Sequence, residues 1–192
     1  MVMAPVQVWT VGHSNHSQER FAELLEQNEV AFLADVRSHP YSRFADHFDR
    51  EALEGTLGSA GIRYVFMGEE LGGRPSDDSH LDPEGHALYA LMAATPSFEK
   101  GIDRVLDGAE KGRLAIMCSC GKPDDCHRRL LVGKVLTDRG AELVHILPDG
   151  DTRIETEVLI GNQPTLFDEP EVTWRSIRSV SPRRPPNTSS AV

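Results

Sequence analysis

Short apolar runs rich in β-branched residues alternate with segments whose apolar positions recur at helical spacing, and this alternation constrains the fold of the 192-residue chain more than any other feature. Val6 to Val11 reads as a first strand, stopped by Gly12. Ser17 has the chemistry of a helix N-cap, and Phe21, Leu24 and Leu25 give the following helix an apolar face. Val30 to Val36 is a second strand, Arg50 to Ala60 a helix closed by Gly61, and Ile62 to Phe66 a third strand. Helical segments follow at Glu84–Ala94 and Ser97–Glu110, with the apolar strand Leu114–Cys118 after them. A helix at Asp125–Arg139, ended by Gly140, precedes a fifth strand at Glu142–Leu147. This order predicts an α/β fold: a mostly parallel sheet of about five strands with helices on both faces, a Rossmann-like three-layer arrangement. In such sheets ligands bind outside the carboxyl ends of the strands.

Two segments stand apart. Gly68 to Asp82 is rich in Gly, Pro, Asp and Ser, carries no period, and reads as a long loop, of a kind that is usually functional or mobile in a compact domain. Beyond about residue 150 the character changes, so residues 1–150 are expected to be the α/β domain and 151–192 a largely flexible extension. A helical turn or two is expected at Arg153–Ile160, and the Ser-, Pro- and Arg-rich stretch from Ser179 to Val192 is expected to be disordered.

The formal net charge of −10 argues against a basic surface wrapped around nucleic acid, while leaving room for a local basic pocket. The three cysteines, Cys118, Cys120 and Cys126, are an odd number in one loop and no disulfide framework. They suit a reducing compartment. No basic-then-apolar leader opens the sequence and no apolar run approaches a membrane span, so a cytoplasmic protein without membrane contact is expected.

The chemistry-bearing residues sit at the expected strand ends. His13 follows Gly12, which permits a tight turn, and is a candidate acid/base with Ser14 beside it; Asp35, on the next strand, would orient it. The bland alternative is a polar cap or an imidazole that only hydrogen-bonds and steadies its neighbours. Asp35 and Arg37 share a strand face and, with Arg43 and Tyr41, form a rim able to hold phosphate or carboxylate, or else a structural pair closing the loop. The segment Cys118 to Arg128 joins a strand end to a helix start, a natural anion site to which Arg128 or Arg129 would add a planar fork, unless Asp124 or Asp125 caps the helix instead and competes with the anion. A catalytic thiol at Cys118 or Cys126 and a buried, inert Cys118 both stay open. A metal site is disfavoured because adjacent Cys126 and His127 rarely reach one ion. Gln163-Pro164-Thr165-Leu166-Phe167 has the Q-x-x-L-F form of peptides that bind bacterial sliding clamps; the alternative is that Leu166 and Phe167 pack back on the domain.

Four ordered motifs resemble the bacterial and archaeal family called domain of unknown function 488 (DUF488): Thr10-Val11-Gly12-His13-Ser14, the run Asp35 to Arg43, Tyr64 followed by Leu71-Gly72-Gly73, and Cys118 with Cys126-His127-Arg128. The resemblance spans about Val6 to Leu147. It implies an α/β domain without a settled activity or cofactor. Where the family pattern has an acidic residue two positions after the first cysteine, this chain has Cys120, so a three-cysteine metal site would be peculiar to this protein.

The resulting expectation is an enzyme-like domain that binds a phosphate- or carboxylate-bearing ligand, a nucleotide or a nucleic-acid end. His13, Asp35 and Cys118 would be catalytic. Ser14, Arg37, Arg43, Tyr64, Cys126, His127 and Arg128 would contact ligand, with no metal. The rivals are a non-catalytic adaptor recruited to DNA-repair or replication machinery through Gln163, Leu166 and Phe167, and a thiol redox or metal protein using Cys118, Cys120 and Cys126.

Overall fold

A computed structural model describes residues 4–42, 44–155 and 174–180. Arg43, Gln163, Leu166 and Phe167 therefore lie outside the described residues, and with them the clamp-binding peptide. The sheet has six strands: β1 (Gln7–Gly12), β2 (Phe32–Asp35), β3 (Arg63–Phe66), β4 (Leu114–Cys118), β5 (Glu142–Ile146) and β6 (Thr152–Ile154). Their order is β3-β2-β4-β1-β5-β6, all parallel except the antiparallel β6 at one edge.

Helices α1 (Gln18–Gln27), α2 (Arg50–Ser59), α3 (Gly68–Leu71), α4 (Tyr89–Ala93), α5 (Pro96–Lys111) and α6 (Lys134–Asp138) make the outer layers. The central strand β4 is buried along its whole length and divides its side chains between the two faces. Leu114 and Ile116 meet Phe98, Ile102 and Val105 of α5 on one side; Ala115 and Met117 meet Phe21, Leu24 and Leu25 of α1 on the other. Two apolar cores separated by one sheet are what a strand buried on both faces requires. At the start of α1, Ser17 Oγ accepts the Arg20 amide at 3.2 Å, as an N-cap should.

Departures from the expected elements have local causes. The chain expected to be helical from Glu84 starts its helix only at Tyr89, because Gly85 turns it at φ 82° and Leu88 bridges to Arg175. The loop Gly68–Asp82 contains α3 and a 3-10 turn at Asp78–His80. The helix expected from Asp125 begins at Arg128 and runs as a π-helix to Gly133 before α6. The helical turn expected from Arg153 is instead strand β6, reached through Gly150 at φ 100° and paired to β5. The sheet thus continues past residue 150. The chain docks on the domain again at Trp174, whose indole N–H donates to the Leu130 carbonyl at 2.9 Å. Among the described residues no helix is long and apolar enough to cross a membrane.

Candidate functional site

Parallel pairing aligns the ends of β1, β2 and β4: Gly12 faces Cys118 and Asp35 faces Met117. The ladder continues one step beyond β1, with the His13 amide donating to the Cys118 carbonyl at 2.9 Å and Ser14 N–H to Ser119 O at 3.1 Å. Gly12 is required by proximity. A Cβ there would lie 1.8 Å from the Cys120 carbonyl oxygen, so the closely packed Cys120 turn, rather than the tight turn expected, explains the glycine.

Arg37 organises the first cluster. Its Nε and Nη2 donate to the Asp35 carboxylate at 2.9 and 2.6 Å, and Nη2 also reaches the Phe48 carbonyl at 2.9 Å. Tyr64 OH donates to Asp35 Oδ2 at 2.7 Å. Asp35 was expected to orient His13, but its oxygens are taken by Arg37 and Tyr64, and His13 is reached through Arg37 Nη1 at 3.3 Å. That contact makes His13 Nε2 the acceptor, and Nδ1 then donates to Ser14 O at 3.0 Å. The ring stacks on Phe48 at 4.4 Å. Burial, reinforced by the Arg37 charge, lowers the His13 pKa to about 4, so the imidazole is neutral near pH 7 with both nitrogens engaged. Burial and the neighbouring Asp35 carboxylate push the Tyr64 phenol up.

The second cluster is built on the turn after β4. Arg128 is fully buried and donates Nη1 to the Cys120 carbonyl and Nη2 to the Gly121 carbonyl at 2.9 Å. The planar fork expected to grip an anion thus holds backbone oxygens. Cys118, Cys120 and Cys126 bring their sulfurs within 4.8 Å of one another. Cys118 and Cys126 are buried, and Cys120 is exposed. His127 Nε2 lies 2.9 Å from the Val36 carbonyl, which fixes it as a donor, and Nδ1 lies 3.6 Å from Cys118 Sγ. Gly73 packs on this ring so closely that a Cβ would come within 2.5 Å of it. The thiols turned towards Cys118 from Cys120 and Cys126 push its pKa well down, aided by His127 and opposed by burial. The Cys126 thiol rises to about 12, and Cys120 is also raised. Of the three thiols, Cys118 is therefore the readiest to ionise. Burial opposes the imidazolium form of His127, yet the Cys118 charge outweighs it and raises the pKa.

The residues singled out at the strand ends therefore share one edge of the sheet, but His13, Asp35 and Arg37 are buried in one cluster and Arg128 in the other, and none of them lines the larger cavity. Open space lies beside them. A cavity of about 580 Å³ opens between the loops after β2 and β3 and the start of α5. Ser38, His39, Arg74 and His80 form part of its polar wall, and Leu81, Met92 and Phe98 part of its apolar one. Glu69 and Asp78 also face it. Ser38 Oγ accepts the Arg74 amide at 3.0 Å, tying the two loops. A smaller cavity of about 260 Å³ lies at the other ends of the strands, against Phe32, Arg63 and Leu114. Arg74 and His80 were missed as individual residues, although both fall in the unpatterned loop read as functional or mobile.

Among known families, the model described as domain of unknown function DUF488 matches residues 17–135. No curated protein and no solved structure matches the chain.

Proposed function

The chain belongs to the DUF488 family, and on that footing we propose that it is an enzyme-like domain whose ligand is a small phosphate-bearing molecule of nucleotide size, held in the 580 Å³ cavity. The volume is that of a small-molecule site, and the position, outside the carboxyl ends of β2 and β3, is where open α/β sheets take ligands. The observation that carries the reading is Arg74. It makes no ion pair among the described residues, whereas Arg37 is spent on Asp35 and Arg128 on carbonyl oxygens. Its guanidinium, with His39 and His80, suits a phosphate. Leu81, Met92 and Phe98 offer apolar surface to a base, and Glu69 and Asp78 accept from amino or hydroxyl groups. A nucleotide combines these features; a bare anion does not.

Calorimetric titration with the four ribonucleoside monophosphates and their parent nucleosides tests this. At least one monophosphate is expected to bind, and Arg74→Ala to weaken it about tenfold or more, the worth of a charge-assisted hydrogen bond, while changing nucleoside binding little. No binding by any member of the panel, or an equal effect on nucleosides, overturns the reading.

A further inference from the structure

We propose that Cys118, Cys120 and Cys126 together bind one soft divalent transition-metal ion, of the zinc or ferrous type, through three thiolates. The inference is independent of the nucleotide reading. The sequence objection to a metal was that adjacent Cys126 and His127 rarely reach one ion. The folded turn answers it, because the three sulfurs converge without help from the imidazole. His127 touches the cluster through Cys118.

Two ordinary explanations for the convergence fall short. Buried cysteines pack as small hydrophobes, which accounts for Cys118 and Cys126, but Cys120 is exposed and yet brings its sulfur to the other two. A disulfide would use two sulfurs and leave the third without purpose. In a tetrahedral ion with sulfur at about 2.3 Å, neighbouring sulfurs lie about 3.8 Å apart, so sulfurs already within 4.8 Å of one another need closing by at most about 1 Å. The donor set is all sulfur, which selects zinc, ferrous or similar soft ions over magnesium or calcium.

The surroundings supply rigidity. Arg128 clamps the carbonyls of Cys120 and Gly121, and Gly12 abuts the Cys120 carbonyl from below. Cys118 is fixed by the β4 ladder. His127 is oriented by the Val36 carbonyl so that its other nitrogen faces Cys118, an arrangement that steadies a ligand from outside. Three thiolates leave the fourth position of a tetrahedral ion to water or an exogenous group, and the exposure of Cys120 gives solvent a way in. Each thiol that still carries its proton gives it up to buffer as its metal–sulfur bond forms.

The test is titration of the fully reduced, full-length protein with Co²⁺ as a spectroscopic substitute for zinc, with the thiols counted beforehand. The expected result is saturation at one ion per chain, with an intense near-ultraviolet sulfur-to-cobalt band. Zinc should displace the cobalt and abolish the band. Cys120→Ser sits on the surface and should fold normally, as checked by circular dichroism. It should lose about a third of the band intensity and weaken binding more than the roughly 10–100-fold typical of losing an outer partner. Absence of the band from folded protein with three free thiols refutes the site. An unaltered band in Cys120→Ser refutes the three-thiolate assignment. Cobalt spectra carry no information on nucleotide binding, so the two proposals fail separately.

Discussion

Replacing Gly12 by alanine adds one methyl group, and the structure states where it lands. It would be 1.8 Å from the Cys120 carbonyl oxygen, 2.7 Å from that carbonyl carbon and 3.0 Å from Arg128 Nη1. The first two are backbone atoms and cannot swing aside. Either the end of β1 moves off β4, or the Cys120–Gly121 turn retreats from Arg128. Forcing a methyl into a packed interior costs about 1–3 kcal/mol. A retreating turn also strands a guanidinium with no exposed surface whose Nε already lacks a partner, and each lost charged hydrogen bond there adds about 1.5–3 kcal/mol. With one such bond lost the expected total is about 2.5–6 kcal/mol, or a fall in melting temperature of roughly 5–24 °C for a chain of this size. Gly55→Ala is the matched control. Its Cβ meets nothing within 4 Å and it lies inside α2, so the change should stabilise by about 0.4–1 kcal/mol. Urea and thermal unfolding followed by circular dichroism read both. A Gly12→Ala protein as stable as the parent would show that the turn after β4 is not packed against β1 in this way.

Three further outcomes follow from buried polar groups. Tyr64→Phe removes one donor from the carboxylate of Asp35, which has no exposed surface, and should lower the urea-derived stability by about 1–3 kcal/mol. Arg37→Met leaves that carboxylate without its ion-pair partner and should cost about 3–5 kcal/mol, with Asp35→Asn added in the same chain recovering part of the loss; no recovery would mean the cost lies elsewhere. His145, buried between Thr10 and Glu155, has its pKa lowered from 6.5 to about 4 by burial, against the opposing pull of Glu155. Between those values the unfolded chain takes up a proton that the folded chain refuses. Stability should therefore be full above pH 6.5 and fall as pH drops towards 4, and a His145→Gln chain whose urea midpoint follows the same pH curve would contradict this.

The fold was legible because its signal is periodic. The run Leu114 to Cys118 is apolar at every position, and that alone marks a strand covered on both faces. Position at strand ends likewise located the edge where His13, Asp35 and Cys118 meet. What the sequence could not reveal was which polar groups would satisfy one another. Arg37 and Arg128 look identical to free anion ligands in one dimension, and only three-dimensional proximity shows one closed on Asp35 and the other on carbonyl oxygens. Elements fixed by a partner far along the chain were also obscured: β6 is a strand because β5 lies beside it, and Glu84–Leu88 leaves the helix because Arg175 pairs with Leu88. The cysteine spacing alone did not show that the three sulfurs converge, because their approach depends on how the turn after β4 folds.

The strand order also bears on the time at which the edge comes into being. The first strand made, β1, pairs with β4 on one side and β5 on the other, and β2 has only β3 until β4 arrives. As the chain leaves the ribosome, β2 and β3 can associate early, but β1 has no partner in the sheet until the residues from Leu114 onward emerge. Closing so long a loop carries an entropic cost that is recovered only when β4 slots between its two neighbours. Insertion of β4 therefore joins β1 to β2, unites the His13 and Cys118 turns and adds residues to both cores at once. Slow folding is expected to be concentrated at that step, and a chain arrested before residue 114 would hold β1 as an unpaired apolar strand, the kind of segment that aggregates or recruits a chaperone.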